Sequence, residues 1–506
     1  MRRTRQRVVC AGFLFLFLAA PSWAQQVSLT ILHTNDTHGH LLPFNYPSVA
    51  SQGSDIAALK TRRNIGGIAR RAALVKRLKT EIEAEDSSVW LVDAGDFSEG
   101  TPFSTEYHGQ ADVEAMNAAG YDFSALGNHE FSYSLSGLKK LLGLFKYPAL
   151  CANVTETATG LPLTQTSATR QLGPLKIGIF GLVTTEVSDY LAAKDGLAVA
   201  SEMETARAVV NTLRHEADII IAISHAGEAQ DLKIAAAVPE IDVIVGGHSH
   251  TRLETGEFVW HSDELKAESV NGTIIVQAHQ RGAELGRLDL LFGKGASGAW
   301  HVLRYRARLI PITDEIPEEE TVAAIVDRYW KPIAAKYERV LGKAEGDFSV
   351  NGDDLAAYSL VADAVRSDLD VEFDLENIGS VRRPLVKGPI TLADLIGLDP
   401  FENTCVTFKI SGRKLKDLLK SQRPAVSGLR YRIEHGEVVY AAVGGRRVND
   451  KDIYYGATNS FFAARELKGI KITDTGKCRF DMLLNYVLAK KSVRPAYDGR
   501  RVILGP

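Results

Sequence analysis

Several short apolar runs in the first half of the chain lead directly into small groups of aspartate, asparagine and histidine residues. Strands are predicted around Ile31 and over residues 88–92, 176–180, 218–223, 241–245 and 273–277. Their alternation with helical patterns, such as the one over residues 68–83, is typical of an α/β layered fold. In open α/β sheets, binding sites form outside the carboxyl ends of the strands, so we expect the polar groups to meet at one place. These groups cover residues 35–40, 93–96, 127–130, 225 and 246–250.

The side chains in these groups are suited to transition-metal binding. Mixed Asp, Asn and His ligands fit Zn²⁺, Mn²⁺, Fe²⁺ or Co²⁺, whereas a thiolate-rich set would indicate structural zinc and an all-oxygen set Ca²⁺ or Mg²⁺. There are more candidates than one ion needs, which favours two divalent ions, the usual arrangement for hydrolysis of phosphate esters. A single histidine such as His225 is more often a hydrogen-bonded core residue than a ligand, but five groups in this order are hard to explain by chance. The glycines beside them allow the backbone to approach such a site closely, and they are Gly95, Gly127, Gly246 and Gly247.

Five motifs together resemble those of the calcineurin-like metallophosphoesterases: Asp36-x-His38, Gly95-Asp96, Gly127-Asn128-His129-Glu130, His225 and Gly247-His248-x-His250. The stretches LHTNDTHGHL, GNHEF and GRLDL are similar to the secreted 5′-nucleotidase branch of that family, and the resemblance covers nearly all of the chain after residue 24. It implies an α/β fold, with a four-layer metallophosphoesterase β-sandwich flanked by helices and followed by a smaller α/β substrate-binding domain. It also implies the metal ligands, which are Asp36, His38 and His250 for one ion, Asn128, His225 and His248 for the other, and Asp96 as the bridge between them.

The same resemblance makes His129 a catalytic residue and not a ligand. It would lie beside the phosphate, where it stabilises charge in the transition state or helps the leaving oxygen depart. Many relatives carry an aspartate three residues later, but this chain has Ser132 there. Because a hydroxyl can orient an imidazole but cannot raise its pKa as a carboxylate does, we expect His129 to have a lower pKa than its counterpart in relatives. Glu130 is the nearest carboxylate in the sequence.

The chain is expected to divide into four parts. Residues 1–24 have a basic start, an apolar run and a small-residue end, which is the pattern of a secretory signal peptide. Residues 25–315 would form the catalytic domain, 316–340 a connecting helix and 341–506 the substrate-binding domain that the resemblance implies. Within the connector, residues 319–339 are predicted to form one long helix.

The C-terminal part should determine what is attached to the phosphate. Family members carry Asn-Gly-Gly-Gly-Ile-Arg, and the stretch NIGSVRR retains Asn377, Gly379 and Arg382 as substrate-binding residues. Phe401, in the stretch DPFEN, resembles the phenylalanine that stacks on the nucleobase in relatives. Residues 463–467, AAREL, replace the family's glycine loop, so the second stacking aromatic is missing or has moved.

Charge and hydropathy narrow the class of protein. Removal of residues 1–24 would leave 55 basic and 62 acidic residues, a net charge of −7, which argues against binding of a nucleic-acid duplex. No later apolar stretch is long enough to span a membrane, so a secreted, periplasmic protein is expected, with an uncleaved N-terminal anchor as the alternative. Beyond the signal, Cys151, Cys405 and Cys478 allow at most one disulfide.

Taken together, these features predict a hydrolase that binds two divalent metal ions and releases phosphate from small nucleotide substrates, that is, a 5′-nucleotidase. The altered base clamp and Ser132 keep open a 2′,3′-cyclic-nucleotide phosphodiesterase or a UDP-sugar hydrolase of the same family, and more remotely a sulfur-ester hydrolase. The alternative from another class is a non-catalytic metal- or nucleotide-binding protein. Retention of every implied ligand and of His129 argues against that alternative.

Overall fold

The computed structural model describes residues 25–45, 63–261, 271–295, 298–401 and 403–505. The segment predicted to be a signal peptide, residues 1–24, lies outside these ranges. Across the described ranges, no helix combines the length and apolar character that a membrane crossing requires. The thiols of Cys151, Cys405 and Cys478 are all free, so the described part of the chain does not contain the one disulfide that the sequence allows.

Two six-stranded sheets form the N-terminal part. In spatial order, the first contains Trp300–Pro311, Glu284–Lys294, Gln26–Thr34, Ser88–Asp93, Phe123–Ala125 and Ala149–Leu150, and the second contains Glu257–Trp260, Gly272–Val276, Val243–Gly246, Ile219–His225, Leu175–Val183 and Ser167–Leu172. Within each sheet, adjacent strands that lead into polar groups run parallel to one another. All the strands predicted from the sequence are present, with bounds that shift by one to three residues.

The two sheets pack face to face, and helices cover their outer faces. The shared core contains Leu29, Ile31 and Val92 from the first sheet and Ile179, Ile221 and Val245 from the second. Helices Ile68–Glu83 and Gln110–Ala119 pack on the first sheet, and Glu202–Leu213 and Glu228–Ala237 pack on the second. The predicted four-layer arrangement is therefore confirmed, and helix Ile68–Glu83 has its predicted bounds. The shorter elements are helices Pro102–Tyr107, Leu135–Leu142 and Leu191–Lys194, 3₁₀ turns His129–Ser132 and Thr185–Asp189, and the strand pair Val154–Glu156 and Leu197–Val199.

The connector differs from its prediction as one long helix. It contains two helices, Glu320–Trp330 and Ala334–Tyr337, separated by three residues of turn. Pro332 lies in that turn, and proline has no N–H to donate and clashes with the preceding helical turn. The prediction of a continuous helix over 319–339 was wrong because it gave too little weight to this proline.

A second α/β unit follows the connector and has buried cores of its own. Its three sheets, each in spatial order, are Gly388–Thr391, Val340–Ala344 and Ser492–Val493; Ala425–Ser427, Phe373–Glu376, Ile453–Asn459, Thr404–Ser411 and Ile472–Cys478; and Arg446–Arg447, Glu437–Val443, Leu429–Glu434 and Arg501–Leu504. Its helices are Ala356–Leu369, Leu392–Leu398, Gly412–Gln422, Ser460–Glu466 and Arg479–Lys490. The two-domain α/β organisation expected from the sequence is thus present.

Candidate dinuclear metal centre

Five strand ends bring the polar groups to one edge of the β-sandwich. Gln26–Thr34 leads to Asp36 and His38, Ser88–Asp93 to Asp96, Phe123–Ala125 to Asn128, Ile219–His225 ends on His225, and Val243–Gly246 leads to His248 and His250. Because the parallel strands share a direction, their carboxyl ends meet at the same edge. The convergence that we expected from the sequence is therefore observed.

The first group of side chains contains Asp36, His38 and His250. Nε2 of His250 lies 3.1 Å from Asp36 Oδ1 and 3.1 Å from His38 Nε2. The Asp36 Oδ1 atom is buried and, although His250 Nε2 lies close to it, accepts no hydrogen bond of normal geometry. Because a buried carboxylate oxygen without a partner is costly, an oxygen in this position among imidazole nitrogens fits a metal ligand.

The second group contains Asp96, His225 and His248, and Asn128 joins it. Nε2 of His225 lies 3.1 Å from Asp96 Oδ2 and 3.1 Å from Asn128 Oδ1, and His248 Nδ1 lies 2.9 Å from the same asparagine oxygen. Asp96 Oδ2 is also 3.9 Å from Nε2 of His38, a member of the first group. Asp96 therefore lies between the two groups, which is the position that a bridging carboxylate needs.

Two of the imidazoles are oriented by backbone carbonyls. His38 donates its Nδ1–H to the carbonyl of Glu99 at 3.1 Å, and His225 donates its Nδ1–H to the carbonyl of Ala94 at 2.6 Å. Each bond places a proton on Nδ1 and leaves Nε2 as the atom that faces the site, as is usual for metal-binding histidines. Burial lowers the pKa of His38 and lowers that of His248 to about 4, which favours the neutral form that metal binding requires.

The carboxylates make the centre strongly attractive to cations. Burial alone would lower the pKa of His225, but the charges of Asp96 and Asp36 outweigh it and raise this pKa to about 10. Divalent ions would neutralise the same two carboxylates. The donor set therefore suits divalent transition-metal ions by charge as well as by ligand chemistry.

Most of the ligand side chains are carried by strained backbone. Left-handed φ angles occur at Asp36 (49°), His38 (47°), Asp96 (53°), His248 (71°) and His250 (55°). This conformation costs about 1–3 kcal/mol for a non-glycine residue and persists only where surrounding contacts enforce it. Here the Asp36 N–H donates to the Gly95 carbonyl and the His38 N–H to the Asp96 carbonyl, both at 2.9 Å. The loops are thus held in their strained form by mutual hydrogen bonds, which prepares the ligands before any ion binds.

Gly127 leaves room for the carboxylate of Asp96, the candidate bridging ligand. A Cβ atom at this position would lie 2.1 Å from Asp96 Oδ1 and 2.2 Å from the Asp96 nitrogen. We expect Gly127→Ala to displace Asp96 and to lower metal affinity about 10- to 100-fold, the usual effect of disturbing the surroundings of a ligand. Titration of the metal-free protein with Mn²⁺ would measure this change. Gly143→Ala is the control, because Gly143 has an ordinary helical φ of −67° and its Cβ would only touch the carbonyl oxygens of Lys140 (3.4 Å) and Lys139 (3.7 Å); equal affinities in Gly127→Ala and the parent would contradict the expectation.

His129 lies beside the metal ligands and is held by a residue that sequence reasoning missed. Its N–H donates to Asp96 Oδ1 at 2.9 Å, and its ring Nδ1 contacts the Oε2 atom of Glu99. Ser132 Oγ donates to the same Glu99 oxygen at 2.6 Å. Burial opposes protonation of His129, but the charges of Asp96 and Glu99 raise its pKa above the ordinary value. We expected a lower pKa than in relatives because Ser132 is not a carboxylate, but Glu99 supplies a carboxylate that contacts this ring.

Glu130, the nearest carboxylate in the sequence, faces away from the His129 ring. Its Oε2 accepts the N–H groups of Asp96 (3.0 Å) and Gly127 (2.7 Å), and its Oε1 accepts the N–H of Ser98 at 3.1 Å. Glu130 therefore ties together the two loops that carry Asp96 and Asn128. Burial, followed by the neighbouring Asp96 charge, raises the pKa of Glu130 to about 7.

Two of the predicted substrate-binding residues reach the centre from the second domain. Arg382 Nη2 lies 3.2 Å from His38 Nε2 and 3.2 Å from His129 Nε2. The Phe401 ring stacks on the His129 ring with centroids 6.2 Å apart, and the Arg382 guanidinium carbon is 5.9 Å from the Phe401 centroid. Arg281 of the first domain donates to the Arg382 carbonyl, which fixes the loop across the domain boundary.

The other two predicted substrate-binding residues shape the loop before Arg382. Asn377 Oδ1 accepts a hydrogen bond from Asn459 Nδ2 at 3.0 Å, and the Gly379 N–H donates to the hydroxyl of Tyr358 at 2.9 Å. Gly379 has φ of 95°, a conformation that glycine adopts without strain. Both residues thus contribute to the path of the loop that carries Arg382.

Arg479, also missed from the sequence, joins this loop to the segment before Phe401. Its side chain is fully buried and donates to Asp399 through Nε (2.9 Å) and Nη2 (2.5 Å), to Glu376 through Nη1 (2.5 Å) and to the Ser380 carbonyl (2.8 Å). Its carboxylate and carbonyl partners lie 80 to 103 residues away in the chain, so no local pattern could indicate the contact.

A cavity of about 1250 Å³ opens between the two domains beside His129. The first domain contributes Glu99, Tyr133 and Leu191 to its lining, and the second contributes Phe401 and Phe480. Phe480 was not singled out in the sequence. It places a second phenylalanine in the cavity that contains Phe401.

The chain is similar in sequence to known phosphoesterases and 5′-nucleotidases. The family model for calcineurin-like phosphoesterases matches residues 29–252, and the model for the 5′-nucleotidase C-terminal domain matches residues 340–473. A 5′-nucleotidase of Vibrio cholerae is 28% identical over 92% of this chain and 91% of its own. The trifunctional nucleotide phosphoesterase protein YfkN of Bacillus subtilis is 25% identical over 86% of this chain but only 32% of its own length.

The fold agrees with a solved structure of similar extent. The 5′-nucleotidase precursor from Thermus thermophilus superposes with a TM-score of 0.82 and 27% identity, covering 95% of this chain and all of that one. Both the catalytic half and the C-terminal half therefore have counterparts in a single protein of the same architecture.

Proposed function

The chain belongs to the 5′-nucleotidase family of calcineurin-like phosphoesterases, and from this premise we propose that it is a secreted, periplasmic enzyme that releases phosphate from nucleoside 5′-monophosphates. The observation that carries the proposal is the position of Asp96 between two groups of metal-binding side chains. A non-catalytic protein would not need His129 and Arg382 on the open side of that centre. The proposed domain limits are 25–315 for the catalytic domain, 316–340 for the connector and 341–506 for the substrate-binding domain.

Two divalent ions held by these ligands would polarise the phosphoryl oxygens and lower the pKa of a water between them. One would be held by Asp36, His38, Asp96 and His250, and the other by Asp96, Asn128, His225 and His248. Their identity among Zn²⁺, Mn²⁺, Co²⁺ and Fe²⁺ is open, since the donor set suits all four.

The residues around the centre divide the remaining tasks. Arg382 presents N–H groups to the same space as His129 Nε2, so both would bind the phosphate oxygens and stabilise the charge that develops in the transition state. From the same position, Nε2 of His129 would donate a proton to the leaving ribose oxygen. The Phe401 face would bind the nucleobase by stacking, and Phe480 lines the same cavity.

The size of the cavity favours a second candidate function. Its volume of about 1250 Å³ exceeds the roughly 300–1,000 Å³ typical of small-molecule sites. A larger nucleotide ester, such as a UDP-sugar, would therefore also have room.

Phosphate release after metal removal and re-addition tests the proposal. We expect the protein lacking residues 1–24 to release phosphate from AMP and UMP only when Mn²⁺, Zn²⁺ or Co²⁺ is restored. The other substrates would be ATP, a UDP-sugar, 2′,3′-cyclic AMP and bis-p-nitrophenyl phosphate. Hydrolysis of the diesters without hydrolysis of AMP would indicate a phosphodiesterase instead. If the protein binds two ions but hydrolyses none of these substrates, the nucleotide assignment is refuted.

A further inference from the structure

We infer that Glu99 is the positioning residue of His129, and that this chain supplies from the loop after Asp96 the carboxylate that many relatives supply from position 132. The inference rests on the proposed role of His129. Glu99 Oε2 contacts His129 Nδ1, and Ser132 Oγ donates to the same oxygen at 2.6 Å. Ser132, which stands where the family pattern has an aspartate, therefore holds the Glu99 carboxylate against the His129 ring.

The backbone around Glu99 is built to aim this side chain. Glu99 has a left-handed φ of 64°, and its N–H donates to Ser104 Oγ at 2.8 Å. Its carbonyl accepts the Nδ1–H of the metal ligand His38 at 3.1 Å. At the next position, Gly100 has φ of 139°, and a Cβ there would lie 2.9 Å from the His38 carbonyl oxygen. One residue thus orients a metal ligand through its carbonyl and the catalytic imidazole through its carboxylate.

The contact with Glu99 determines which ring nitrogen of His129 faces the substrate. A carboxylate can only accept a hydrogen bond, so His129 carries a proton on Nδ1 in both its neutral and its charged form. The second proton of the charged form, the one available to the leaving oxygen, is on Nε2, which points to the space shared with Arg382. Glu130 cannot do this, because its two oxygens accept backbone N–H groups from the loops of Asp96 and Asn128. The side chains of Glu99 and His129 are 16% and 5% exposed, so little water competes for this bond.

Glu99→Gln tests the inference, since glutamine keeps the size of the side chain and removes its charge. We expect kcat for AMP to fall about 10²-fold, the lower end of what general acid–base catalysis contributes, while KM changes less than about threefold and two ions remain bound. For p-nitrophenyl phosphate, whose leaving oxygen needs little help, kcat should fall much less. An equal loss on both substrates, or no loss on either, would overturn the inference.

Moving the carboxylate from position 99 to position 132 should restore part of the activity lost in Glu99→Ser. Glu99→Ser combined with Ser132→Asp would return the carboxylate to the position that relatives use, and we expect it to recover at least tenfold over Glu99→Ser alone. Glu204→Gln is the matched control, because Glu204 is 70% exposed and pairs with Arg207 on the outer helix Glu202–Leu213, so it should leave kcat unchanged. A double variant as slow as Glu99→Ser would show that the carboxylate does not act through His129.

An activity-independent measurement separates this inference from the proposed function. Imidazole ¹⁵N spectra of the metal-free protein, with His129→Gln to identify the signal, should show a proton on Nδ1 of His129. In Glu99→Gln this proton should exchange with water faster than in the parent. If the parent does not hydrolyse AMP, the proposed substrate is wrong, but the spectra still test whether Glu99 positions His129. Identical spectra for the parent and Glu99→Gln would overturn the positioning role.

Discussion

Asp96→Asn should lower metal-dependent phosphate release from AMP by about 10³-fold. Two-metal clamping contributes several kcal/mol of transition-state stabilisation, and each 1.36 kcal/mol is a factor of ten in rate. Asp96 Oδ2 lies 3.1 Å from Nε2 of His225 in one group and 3.9 Å from Nε2 of His38 in the other, so a neutral amide weakens both ion sites together. Its Oδ1 also accepts the N–H of His129 at 2.9 Å, a bond that asparagine can keep through its carbonyl oxygen.

Metal content and kcat/KM should be measured on the same preparation. We expect the Asp96→Asn protein to bind fewer than two ions per chain at a metal concentration that saturates the parent. Asp122→Asn is the matched control, because Asp122 accepts the Leu91 N–H at 2.8 Å and faces Lys79, away from the centre. Two tightly bound ions and parental activity in Asp96→Asn would show that this carboxylate does not bridge the sites.

The sequence predicted well those features that depend on neighbouring residues. Alternating apolar runs located the strands, and the ends of parallel strands necessarily meet, so the positions of the ligands on the chain determined their convergence. Ser132 was singled out as a departure from the family pattern, and the structure places it beside Glu99. What replaced the missing carboxylate was not predictable in the same way, because Glu99 precedes Ser132 by 33 residues and meets it only through the fold.

The errors have distinct physical causes. Pro332 interrupts the connector helix by a local rule that the sequence contains, so this boundary was predictable in principle. Arg479 was not, because an arginine on a helix near the end of the chain is ordinarily exposed, and only the fold brings Glu376 and Asp399 to it. Long-range polar contacts of this kind hold the substrate loops in place. The substrate-binding domain is therefore harder to predict from the sequence than the candidate metal centre.

Arg479→Met should destabilise the second domain by about 3–5 kcal/mol, the usual result of removing one partner from a buried ion pair. Methionine keeps much of the side-chain volume but leaves the carboxylates of Glu376 and Asp399 buried beside it without their cation. The Ser380 carbonyl loses its donor as well, so the loop to Arg382 is released and KM for AMP should rise. Urea unfolding followed by circular dichroism, with hydrogen exchange of peptides from strand Phe373–Glu376, would measure the loss.

Arg494→Met provides the comparison for this change. Arg494 also pairs with a carboxylate, that of Glu345, but its side chain is 81% exposed. Exposed ion pairs contribute about 0–1 kcal/mol, so this variant should unfold close to the parent. Burial is the main difference between the two substitutions. If Arg479→Met lost no more stability than Arg494→Met, the carboxylates around position 479 would have to be protonated or rehydrated in the variant, and the buried cluster would not be what holds the two substrate segments together.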